Sequence, residues 1–110
     1  MQKIEKLSAA TFPVAVRNGV VLVDFFAQWH GPCHKQSDLL NALADHDSFP
    51  DKVKLTKVDI DEAPVIAAKF EVEIVPTLVV FRNGEEIGRI TGIADEKRLL
   101  ELFKESYDGE

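Results

Sequence analysis

The sequence predicts an α/β domain with a mixed sheet between helices, and three features carry that expectation. Val20 to Ala27 is a short, nearly unbroken apolar run, which suits a central strand covered on both faces. Behind Pro32, Leu39, Leu40 and Leu43 recur at helical spacing. Two apolar segments flank Asn83-Gly84, a strong hairpin signal because type I′ turns need positive φ at both central residues.

The elements follow in order. A short strand and a helix near Ser8 to Arg17 lead to the turn at Asn18-Gly19. The Val20 to Ala27 strand comes next. The segment from Pro32 to Asp47 carries the helical spacing, with Pro32 suited to the first turn and His46 expected in the loop after the helix. Val53 to Ile60 alternates apolar and polar residues and reads as a strand. Pro64 opens a short helix that ends near Phe70. Thr77 to Phe81 and Glu86 to Ile90 form the hairpin. Asp95 then caps a final helix with Leu99, Leu100 and Phe103 on one face. A βαβ half joined to a ββα half gives a central mixed sheet of four to five strands flanked by four helices.

At 110 residues, the whole of 1–110 reads as a single domain able to bury an ordinary core. Apolar residues make up 45% and charged residues 29%, as in globular proteins. The net charge of -6 argues against a nucleic-acid partner, which needs a basic patch. Met1 to Phe12 shows no apolar signal region, and the apolar runs are far shorter than the roughly 20 residues of a membrane span. A single cysteine forms no internal disulfide, which argues against a secreted scaffold. The expectation is a cytoplasmic protein, monomeric or weakly dimeric, with no cofactor, no membrane and no nucleic acid.

That cysteine, Cys33, lies in Trp29-His30-Gly31-Pro32-Cys33-His34, directly after the central apolar run. The segment resembles the Trp-Cys-Gly-Pro-Cys active site of thioredoxins in all positions but one. Further matches follow in order and at family spacing. They are the run ending at Trp29, then Lys57-Val58-Asp59-Ile60-Asp61, Val75-Pro76-Thr77, Phe81-Arg82-Asn83-Gly84 and Gly92. The chain is thus similar to the thioredoxin family from end to end, without insertion. The resemblance implies the thioredoxin fold, a cis Val75-Pro76 bond and protein partners. Two positions depart from the family. His30 replaces the first motif cysteine, and Asp38 stands where members often carry a helix proline.

The first departure bears on chemistry. Thiol–disulfide exchange starts with a thiolate attacking a sulfur to form a mixed disulfide. In the family that thiol occupies the position of His30, and imidazole cannot form the mixed disulfide. Cys33 keeps the place of the resolving thiol. It reads either as an inert small residue or as a single thiol that pairs with glutathione or with a partner's cysteine. His30, three residues earlier, is a candidate base for it. Asp24 reads either as a strand-end acid reaching solvent or, by the resemblance, as a buried carboxylate beside the motif with Lys57 as its charged neighbour. Burial would raise the pKa of Asp24 and Lys57 would oppose that. His30, Cys33 and His34 have donor types suited to zinc or copper, but no fourth ligand lies nearby, and two polar residues flanking a family motif is the simpler reading.

The resemblance also implies a flat apolar groove for extended peptides, built from Trp29, Gly31, Pro32, Val75, Pro76, Gly92 and Ile93, with the Val75 backbone free to pair. That needs no thiol. The leading expectation is therefore a thioredoxin-like protein without ordinary dithiol reductase activity that binds extended segments of partner proteins. The alternatives are a monothiol redox protein using Cys33, and a disulfide reductase whose first motif cysteine has been replaced.

Overall fold

The computed structural model describes residues 4–44 and 53–108, the last three for backbone only. Residues 45–47, the end of the segment expected to carry the helix, and with them His46, lie outside the described residues. Five strands and four helices occur among those described: β1 (Glu5–Leu7), α1 (Phe12–Ala15), β2 (Val20–Phe26), α2 (Gly31–Ala44), β3 (Val53–Asp59), α3 (Pro64–Lys69), β4 (Thr77–Arg82), β5 (Glu85–Thr91) and α4 (Glu96–Asp108).

The strands form one sheet in the order β1-β3-β2-β4-β5. β1, β3 and β2 run parallel, while β4 and β5 are antiparallel to their neighbours. The connections through α1 and α2 keep β1, β2 and β3 parallel, but β4, entered after α3, lies antiparallel beside β2, and the two-residue Asn83-Gly84 loop then reverses the chain into β5. Both loop residues have positive φ, 49° and 87°. A bulge between Val80 and Phe81 shifts the β4–β5 register by one residue.

The period of two in β2 sorts its side chains into two cores. Val21, Val23 and Phe25 join Phe12, Val16, Ile66 and Phe81 on the α1/α3 face. Leu22 joins Leu40, Leu43, Leu99 and Phe103 on the α2/α4 face. The central run reads as almost purely apolar because both faces of its strand are covered. Asp24 has the parity of Leu22, so its carboxylate points into the α2/α4 layer and not to solvent. The final helix buries Leu99, Leu102 and Phe103, with Leu100 half-buried beside them. Its cap is as expected, with the Arg98 amide donating to Asp95 Oδ1 at 2.8 Å.

Candidate functional site

Strand register brings the singled-out loops to one end of the sheet. Phe25 of β2 pairs with Thr77 of β4, and Thr77 with Thr91 of β5. The chain therefore leaves β2 toward Trp29 and His30, enters β4 from Val75-Pro76, and leaves β5 toward Gly92 and Ile93, all at that end. The Gly92 amide donates to the Pro76 carbonyl at 2.8 Å, and the Val75-Pro76 bond is cis. Gly92 has φ of 90°, a conformation that suits glycine. The ladder with β5 begins only at Thr77, which leaves Val75 outside it.

The motif itself opens α2. The His30 amide donates to the Ala27 carbonyl at 3.2 Å, and the Cys33 amide to the His30 carbonyl at 3.1 Å. Gly31 is exposed and Pro32 half-buried in the first turn. Trp29 is held by its indole N–H, which donates to Asp61 Oδ2 at 2.8 Å. The half-exposed ring of His30 packs edge-on against Trp29, with centroids 5.4 Å apart.

Cys33 is only 2% exposed. Burial pushes its thiol up, a backbone hydrogen bond at Ala27 opposes this, and the charge of Asp24 adds to the rise. The polar contact of the thiol is thus Ala27 and not His30. Among the described residues, no group of three His, Cys, Asp or Glu side chains is placed to hold a metal ion, so His30, Cys33 and His34 do not come together as a ligand set. His34 instead points its Nε2 at the Gln28 carbonyl, 2.8 Å away.

Asp24 is 2% exposed, and its reading as a strand-end acid in solvent is overturned. It stands in register with Lys57 on the neighbouring strand. Desolvation raises its pKa from the ordinary 3.8 to about 7, with Lys57 opposing. Burial is therefore the stronger of the two effects.

Sequence reasoning missed three polar clamps. Gln36 is fully buried and makes two hydrogen bonds to one residue. Its Nε2 donates to the Ala94 carbonyl at 3.1 Å, and its Oε1 accepts from the Ala94 amide at 2.7 Å. This ties the Gly92–Ala94 loop to α2. Gln28 Nε2 donates to the buried Asp59 at 3.1 Å, and Asp61 holds Trp29 as described. For Gln36 a signal existed: it lies three residues after Cys33 and four before Leu40, on the buried helix face.

Comparison with known proteins agrees with this geometry. Residues 3–105 match the Thioredoxin family model. The chain is 40% identical over 102 residues to a thioredoxin of Staphylococcus saprophyticus, covering 92% of this chain and 95% of that one. It is 41% identical over 101 residues to a thioredoxin of Staphylococcus haemolyticus, covering 91% and 94%. The crystal structure of Malassezia sympodialis thioredoxin superposes with a TM-score of 0.83 at 31% identity, covering 96% of this chain and 93% of that one. The fold, the two loops facing the helix start and the whole-length similarity agree, and the chain belongs to the thioredoxin family.

Proposed function

We propose that this member of a thiol–disulfide redox family acts by binding extended segments of partner proteins, without an ordinary dithiol reductase cycle. One contrast carries the reading. The apolar side chains Trp29, Ile74 and Ile93 are 70%, 57% and 52% exposed around the helix start, while the chain's only thiol is 2% exposed. Large apolar groups gathered on a surface mark a binding site. A buried, deacidified thiol with histidine in place of its partner has neither nucleophile for a two-step exchange. The monothiol alternative needs an acidified, accessible Cys33, and both burial and the shift of its pKa oppose that. The reading takes the cytoplasm as its setting, where a lone thiol stays reduced. No helix among the described residues is long and apolar enough to cross a membrane.

Two measurements test it. Insulin reduction coupled to thioredoxin reductase should stay at background, and turnover like that of a dithiol thioredoxin would overturn the reading. Extended peptides selected by display should bind equally well when their cysteines are changed to serine. Their binding should survive Cys33→Ser and be lost on Ile93→Asp. Selection of peptides whose binding vanishes with their cysteines would favour the monothiol alternative instead.

A further inference from the structure

A cleft of about 580 Å³ opens on the α2 side of the sheet and has no part in the peptide-binding reading. Its floor is one cross-strand row. β1 sets Lys6 in register with Lys57, and β2 sets Asp24 in register with the same Lys57. Residues in register on neighbouring parallel strands project from the same face, on strands about 4.8 Å apart. Cys33 and Ser37 of α2 line the cleft above the row, and Phe26 adds an apolar wall. The volume lies within the roughly 300–1,000 Å³ of sites that enclose a small organic molecule.

The row is short of negative charge. Two lysines side by side repel one another. Glu62 offsets Lys6, with its carboxylate 2.9 Å from the ammonium. Lys57 lies over the ring of Phe26, 5.6 Å from the centroid. The acid beside it, Asp24, is held toward its neutral form by burial. The row is also short of a hydrogen bond. Asp24 Oδ1 is the buried side-chain polar atom without a partner among the described residues. Buried polar atoms are rarely left so, and a group that reaches this one gains what the protein forgoes.

We propose that this cleft binds a small carboxylate carrying a hydroxyl on the adjacent carbon. The carboxylate sits against Lys57, and the hydroxyl donates to Asp24 Oδ1. An α-hydroxy acid presents its two groups from neighbouring carbons, which suits two side chains converging from adjacent strands. Phe26 covers the carbon chain. The cleft is separate from the surface of Trp29, Ile74 and Ile93, and its failure as a site leaves the peptide reading standing.

The test is a titration of the isotopically labelled full chain, followed by amide NMR at constant ionic strength, with lactate and with propanoate as the probe lacking the hydroxyl. Lactate should shift the amides of Asp24, Cys33, Ser37 and Lys57, and propanoate should bind about tenfold more weakly. Lys57→Met should weaken lactate binding by about tenfold or more. Asp24→Ala should make the two probes equal. Ser37→Phe, which fills the cleft, should abolish binding of both while the spectrum elsewhere shows an intact fold. Equal affinity for the two probes in the native chain would overturn the proposal. So would shifts that Lys57→Met leaves unchanged, or no shift up to the solubility limit of lactate.

Discussion

Asp24 and Lys57 stand opposite each other across the β2–β3 pair, yet the lysine does not hold the carboxyl at its ordinary pKa, which burial raises to about 7. Lys57 is half-buried and sets its ammonium over the ring of Phe26, while Asp24 lies fully in the α2/α4 layer. Loss of water around the acid therefore outweighs a cation that water still reaches.

This makes stability depend on pH in a stated direction. The folded chain keeps a proton on Asp24 that the unfolded chain releases above its ordinary value of 3.8. The contribution is fully present below pH 3.8, falls as pH rises toward about 7, and is level above that. The whole loss is on the order of 4 kcal/mol at 1.36 kcal/mol per pH unit. Urea unfolding of the native chain and Asp24→Asn at pH 5 and pH 8 checks it. The variant should gain stability relative to the native chain at the higher pH. Parallel profiles would show that the carboxyl is charged throughout.

Cys33 should resist alkylation in the folded chain. Burial raises its pKa and shields it, so iodoacetamide should react slowly through neutral pH and faster only in alkaline solution. Unfolding in urea should restore the ordinary rate. Asp24→Asn should modestly speed the folded reaction, because the charge of Asp24 is among the causes of the rise. Rapid labelling of the native protein at pH 7 would contradict the burial described.

Reversion of His30 to cysteine should return a dithiol. Position 30 and Cys33 are joined by the first turn of α2, with a 3.1 Å hydrogen bond between their backbones. The variant should form an internal disulfide, visible as the loss of two free thiols on oxidation. Insulin reduction should then rise on the order of a hundredfold or more, since deleting a nucleophile in other enzymes costs up to about 10⁶. A disulfide without activity would place the defect in the surrounding surface.

Gln36→Ala should be costly although it removes no charge. It leaves the buried amide and carbonyl of Ala94 without partners, each worth about 1–3 kcal/mol. Thermal unfolding should show a loss of about 2–4 kcal/mol. Peptide binding should weaken with it, because Ile93 sits on the loop that Gln36 holds. Full stability in Gln36→Ala would mean that water replaces both bonds.

The parts legible beforehand share a local cause. Asn83-Gly84 announces its turn because its φ angles are set by those two residues. Asp95 announces its helix because the amide it caps is three residues away. The leucines of α2 announce their face through spacing alone. Gln36 stayed hidden because its partner lies 58 residues off, and Asp61 because it meets Trp29 from another strand's end. For Asp24 the parity argument was available, but a single acid in an apolar run is compatible with either a buried row or a strand end.

By itself the sequence determined the α/β architecture, the place of the Asn83-Gly84 turn and the histidine at position 30, where the resemblance to thioredoxins expects a cysteine. These follow from periodicity, turn chemistry and residue identity, which act over a few positions. Only the tertiary structure decided that Asp24 is buried beside a half-buried Lys57, that Cys33 is enclosed, and that Trp29, Ile74 and Ile93 are left open. Protonation and access depend on how much water surrounds a group, and that is set by strands and helices distant in the chain.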